Sequence, residues 1–239
     1  MTQILLTSTA LACAATSIYA ARCYIQISSI PPSQITSSDA LSDDFKTSKA
    51  VALTNPNKHI PINDSRRITI NLPSPLSDEQ ILARFVKGFF GGWWLGPERT
   101  VLCGFGKVLV DYKDLNHKPI SKSIWSASHL SRQIPPPLDA LLFGAFRVVD
   151  YYIADPHSGG ESYIDFVFGS DTGRLAGVHR FCVSSEQSGE RQGVVTIEFA
   201  HSGCNPGENK RLSPAVLECL HMWYGMVLFR EGVAEVLRS

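Results

Sequence analysis

Positive charge is not in excess in this chain. Lys and Arg total 22, and Asp and Glu total 22. The balance gives no broad attraction to a nucleic-acid backbone, so no nucleic-acid partner is expected. No CxxC pair occurs, and the histidines form no HxH or HExxH cluster. The ligand spacings of a zinc site are therefore missing, and no metal is expected. The turn Gly104-Phe-Gly106 does not continue into a nucleotide fingerprint, so no nucleotide cofactor is expected either. No basic residue precedes Arg22, so the basic start of a secretory signal is also missing.

What is present fits one folded domain with an appendage. The chain has 239 residues, enough to bury a full core without disulfides or metals. Six cysteines, at 13, 23, 103, 182, 204 and 219, sit mostly among apolar or strand-like neighbours and read as free thiols. The run from Ile4 to Ala21 carries no charge. Its length of about 18 residues is near the lower limit for a bilayer-spanning helix. Residues 1–26 are expected to be a retained single-pass membrane anchor, with a cleaved signal as the alternative. Arg22 on its C-terminal side places the domain in the cytosol, at the endoplasmic reticulum.

Residues 27–65 are rich in Ser, Thr, Pro and Asn, with breakers at Ile30-Pro-Pro32 and Asn55-Pro-Asn57. This segment reads as a tether, with one short piece near Ala50–Leu53. The folded domain is expected over 66–239. Arg67-Ile-Thr-Ile-Asn-Leu72 alternates like a strand. Ser77 and Gln80 form a capping box ahead of a helix through Phe90. A second short helix is expected over Trp93–Leu102. Strands are predicted over Lys107–Tyr112, Phe146–Ile153, Glu161–Phe168, Arg174–Val183 and Val194–His201, joined by Gly-, Ser- and Asp-bearing turns. Ser213-Pro214 caps a helix over Ala215–Leu237 whose centre is apolar on nearly every side, so a sheet should grip it.

Ionisable groups stand inside the apolar strand patterns. His201 shares a face with Val195, Ile197 and Phe199, and His179 shares one with Phe181 and Val183. The two could point inward together. His221 and Tyr224 lie three apart on the last helix and so share a side. Asp165 lies opposite the Ile164, Phe166 and Phe168 face. It either faces outward and pairs with Arg180 on a neighbouring strand, or lines a cavity in the other register. Each histidine also has a plainer reading as a hydrogen-bonded core or rim residue.

The order of elements is strand, two short helices, antiparallel strands and a long last helix. It resembles the helix-grip superfamily of START and birch-pollen-allergen-like proteins, which includes small polyketide cyclases and lipid carriers. The chain also resembles small uncharacterised proteins of fungal secondary-metabolite biosynthesis. That second likeness rests on Phe89-Phe-Gly-Gly-Trp-Trp-Leu-Gly-Pro-Glu-Arg99, Asp165-Phe-Val-Phe-Gly-Ser-Asp171, His179-Arg-Phe181 and His221-Met-Trp-Tyr224. The resemblance implies an α+β helix-grip fold, with an antiparallel sheet curled round the C-terminal helix and an apolar cavity between them. Together with the inward ionisable groups and the expected anchor, this leads to the expectation of a membrane-anchored, cofactor-independent cyclase or isomerase acting on an apolar polyketide or terpenoid intermediate. His179, His201, His221 and Tyr224 are the expected catalytic residues. Asp165, Arg180, Glu161 and Trp93 are the expected substrate-binding residues. The alternatives are a carrier of lipid or hydrophobic metabolite, and an assembly protein for membrane-bound biosynthetic enzymes. The latter would have a filled core.

Overall fold

The fourth helix starts where its local chemistry says it should. In the computed structural model, which describes residues 2–155, 159–186, 193–212 and 214–238, the Ser77 hydroxyl accepts from the Gln80 N–H at 3.2 Å. The Gln80 side chain accepts from the Ser77 N–H at 3.1 Å, which closes the capping box. Helix α4 (Asp78–Gly91) then buries Ile81, Leu82, Phe85, Val86, Phe89 and Phe90. The other helices are α1 (Thr2–Ser28), α2 (Asp43–Lys46), α3 (Lys49–Thr54), α5 (Gly96–Phe105) and α6 (Ala215–Leu237). The strands are β1 (Thr36–Ser38), β2 (Ile62–Asn71), β3 (Lys122–Ile124), β4 (Ala140–Leu142), β5 (Phe146–Tyr152), β6 (Ser162–Gly169), β7 (Ala176–Glu186) and β8 (Val194–Cys204).

The strands form one eight-stranded sheet in the order β1-β2-β8-β7-β6-β5-β4-β3. Among the named strands of the described residues, only β3 and β4 run parallel. The first long strand, β2, lies beside the last, β8, over ten paired positions from Ile62↔Gly203 to Asn71↔Val194. The architecture is α+β, with a curled, mostly antiparallel sheet and a C-terminal helix. It is compatible with a helix grip in general. The last helix has the expected limits, Ala215–Leu237. The expected cap Ser213 lies outside the described residues.

Two helices share the inner face. α4 lies on β6 and β7, and α6 packs on α4 and β2. A Cβ at Gly88 would sit 2.6 Å from the Glu231 carbonyl oxygen, so only glycine lets the two helices come this close. Where the resemblance implies an apolar cavity, aromatic rings fill the space between sheet and helices. Phe89 and Phe181 have centroids 4.8 Å apart, Phe90 and Phe166 4.9 Å, and Phe85 and Phe229 5.6 Å. Phe85, Phe90, Phe166, Phe181 and Phe229 are fully buried.

The outer face is covered as well, which corrects the reading of 27–65 as a tether. That stretch carries β1, α2, α3 and the start of β2. Leu41, Phe45 and Ala50 pack with Val110 and Tyr112 over Val167, Ala176, Val178 and Ala200. The serines that looked like linker residues are helix caps. The Ser42 hydroxyl accepts from the Phe45 N–H at 3.3 Å, and the Ser48 hydroxyl from the Val51 N–H at 3.2 Å. The expected strand over Lys107–Tyr112 is also corrected. Its ladder pairing with the sheet is limited to one isolated bridge, Asp111↔Ser170. The Leu109 N–H bonds the Gly144 carbonyl, and the Asp111 N–H bonds the Gly169 carbonyl.

The expected anchor segment is helical. α1 runs unbroken from Thr2 to Ser28, and the side chains of residues 2–12 lie outside the described set. No helix among the described residues is long and apolar enough to cross a membrane. The C-terminal end of α1 is tied to the domain. Arg230 donates to the carbonyls of Ile30 at 2.6 Å and Ile27 at 2.9 Å, and the Trp94 indole donates to the Cys23 carbonyl at 3.2 Å. Such donors satisfy carbonyls that a helix end leaves open.

Candidate functional site

Pairing register builds the site. In an antiparallel ladder, directly opposed residues put their side chains on the same face. Asp64 on β2 lies opposite His201 on β8, and His201 lies opposite His179 on β7. The three form one row across the inner face. The two histidines meet through their Nδ1 atoms at 3.3 Å, so one ring donates and the other accepts. Phe168 stacks on both rings, with centroids at 4.8 Å to His179 and 5.8 Å to His201. Phe199 is 5.3 Å from His179. On α6, His221 places its ring 4.8 Å from His201, with its outer side in solvent.

Charge is held at the end of the row. Asp64 and Arg66 are both buried and form an ion pair through Oδ2 and Nη1. Arg66 Nη2 also donates to the Met222 carbonyl of α6 at 2.5 Å. A Cβ at Gly225 would lie 3.1 Å from Arg66 Nη1, so the missing side chain there lets α6 settle over the pair. Burial controls the protonation of the row. Desolvation, helped by nearby His221, pushes His179 down to about 3. His201 is held well below its ordinary value by desolvation, then by its neighbours His179, His221 and Arg66. Desolvation also lowers His221, while Asp64 opposes it. Desolvation raises Asp64, and Arg66 pulls it back. At neutral pH the buried imidazoles are therefore uncharged, and each can accept a proton only transiently.

His179, His201 and His221 are thus brought together. The other expected residues are not. The Tyr224 hydroxyl turns to α5, donating to Glu98 Oε2 at 3.0 Å and lying 3.4 Å from the Trp94 carbonyl. Asp165 and Arg180 bind each other on the outer face, through Nε–Oδ1 and Nη2–Oδ2 contacts of 2.7 Å each. This is the outward-facing alternative of the sequence reading. Phe45 and Tyr163 flank the Arg180 guanidinium at 4.9 and 4.1 Å. The pair is buried and closed on itself, apart from the histidine row. Glu161 is exposed just before β6. Trp93 lies beside α1, 5.6 Å from the Tyr19 ring, at a cleft of about 510 Å³ that Tyr19, Gly96 and Arg99 also line.

Asp64, Arg66 and Phe168 were missed as site residues. A signal for the first two exists: the strand alternation through Ile68 and Ile70, carried two steps back, puts Arg66 and Asp64 on the same inner face. Among the described residues no group of three or more His, Cys, Asp or Glu is placed to hold a metal ion. The six cysteines are free, with Cys23, Cys182 and Cys204 buried. No protein-family model matches the chain, no curated protein matches it, and no solved structure matches it.

Proposed function

We propose that the protein is a membrane-anchored, cofactor-independent cyclase or isomerase that moves protons on an apolar polyketide or terpenoid intermediate at the His201–His221 end of the row. One observation carries this reading: three elements bring three imidazoles into contact beside a buried carboxylate–guanidinium pair. Buried polar groups are costly, and apolar side chains would fill this space without that cost. Clustered, shifted titratable groups mark functional sites more often than plain packing does. His221 is the group that a molecule from outside can touch, next to the exposed Leu217 one turn earlier on α6.

In this mechanism a neutral imidazole removes a proton from carbon next to a substrate carbonyl. The resulting enolate either closes a ring by attacking a second carbonyl of the same molecule or is reprotonated elsewhere. The proton returns from the imidazolium, so no electrons are gained or lost. Asp64 stabilises that imidazolium through space, and His201 shares charge with His179 through the Nδ1 contact.

Metabolite profiling of a strain lacking the gene, complemented with wild type, His201→Phe or His221→Ala, tests the reading. The deletion and both variants should accumulate the same uncyclised or shunt intermediate. Full product from both variants would end the proton-transfer mechanism.

The filled core favours a second reading, an assembly protein that holds biosynthetic enzymes at the membrane. It predicts that the deletion accumulates the intermediate while both histidine variants restore product. An internal carrier is less well supported, because phenylalanine rings occupy the place where its ligand would lie.

A further inference from the structure

The first half of α6 leaves an apolar stripe uncovered. Val216, Leu220 and Trp223 recur at i, i+4 and i+7 and are 71%, 56% and 56% exposed. Single exposed apolar residues are ordinary, but three on one stripe form a patch. Further along the stripe Val227 is buried, and Arg230 holds the Ile27 carbonyl in the last turn of α1 and the Ile30 carbonyl just beyond it. The uncovered half therefore runs into the place where α1 docks.

Aromatic rings join the two. Trp223 meets Trp94 edge-on at 5.5 Å, and the Trp94 indole bonds the Cys23 carbonyl of α1. Trp93 packs on Tyr19, and Arg22 lies over the Trp93 ring at 5.5 Å. The Glu231 carboxylate accepts from the N–H groups of Trp93 at 2.6 Å and Trp94 at 2.9 Å, so the loop that presents these rings is fixed from below. On α1 itself, Tyr24 and Ile25 are 68% and 66% exposed.

We infer that this surface, made by Trp223, Leu220 and Val216 of α6, Trp93, and Tyr24 and Ile25 of α1, lies in the headgroup layer of a lipid bilayer and holds the domain flat against it. The inference rests on the membrane-anchored reading and goes beyond it: the anchor alone does not decide which face of the domain meets the lipid. Two features select lipid over a protein partner. No residue from Thr2 to Ala21 is charged, and this uncharged stretch is continuous with the part of α1 that packs beside the patch. Tryptophan, tyrosine and one arginine at the root of an apolar helix are the composition of a membrane–water boundary. With α6 against the surface, His221 beside the stripe faces the medium in which an apolar substrate dissolves.

The test uses the full chain and vesicles of phosphatidylcholine brominated on its acyl chains, which quench nearby indoles. Flotation of the vesicles reports the anchor, and quenching reports the docked face. The chain has four tryptophans, at 93, 94, 125 and 223. The floated wild type should be quenched. Trp93→Phe/Trp223→Phe should lose most of that quenching, while Trp125→Phe should keep it. A chain that floats without quenching, or whose quenching survives the double substitution, overturns the inference and leaves the anchor standing. A chain that does not float overturns both.

Discussion

Two buried ionic centres sit on opposite faces of the same sheet, and they differ in how their partners close. On the outer face Asp165 and Arg180 are joined by two hydrogen bonds of 2.7 Å and enclosed by Phe45 and Tyr163. On the inner face Asp64 and Arg66 pair too, but a row of uncharged imidazoles continues from them to the surface at His221. The lesson is that a charge inside an apolar strand does not mark chemistry by itself. The outer pair is closed by its own two hydrogen bonds. The inner row keeps nitrogen atoms that can take and return a proton.

The sharpest way to break this comparison is Arg180→Met. It strands a buried carboxylate and should cost about 3–5 kcal/mol in urea unfolding. A cost no larger than that of a surface change would show that the outer pair is not closed. His201→Phe should behave oppositely. It leaves one buried imidazole nitrogen of His179 without its partner and should cost about 1–3 kcal/mol, yet it should abolish product in the complemented strain. Equal losses of stability in the two variants would erase the distinction between the faces.

Acid titration separates the faces further. The folded His179 sits near 3, below its ordinary 6.5, so the unfolded chain binds more protons between these values. Its contribution to stability is full above about pH 6.5 and is lost as pH falls toward 3. Stability measured against pH should therefore decline more steeply in wild type than in His179→Phe across that window, and the two should run parallel above it. Parallel curves throughout would show that His179 titrates normally. The smallest effect is expected for His221→Ala. Its ring has solvent on one side, and stability should change by no more than about 0.5 kcal/mol, while product falls. Unchanged product would move the proton-transfer step away from the surface end of the row.

Much of the fold was readable from local pattern. The Ser77–Gln80 capping box, the limits of α6 and four long antiparallel strands follow from caps, breakers and alternation within a few residues. The outward Asp165 and its pairing with Arg180 follow from the same alternation. The histidines were readable as inward-facing, though not as partners of Asp64. Residues 27–65 were not readable, because a serine that caps a helix and a serine in a linker look alike until Phe45 has a sheet to bury against. Tyr224 lies apart from the histidine row for a related reason. Its helical spacing to His221 is real, but its hydroxyl partner Glu98 lies 126 positions away in the chain.

The sequence by itself determined which side chains share a face, since a strand alternates with period two and a helix with 3.6, whatever surrounds them. Tertiary structure alone decided which element covers each face. It set α4 and its phenylalanines where a cavity was expected, and it folded 27–65 over the outer side. It also brought Asp64 from one end of the domain opposite His201 near the other. The physical reason is that covering and meeting depend on register and packing between distant segments, where many weak contacts compete and no single residue carries the answer.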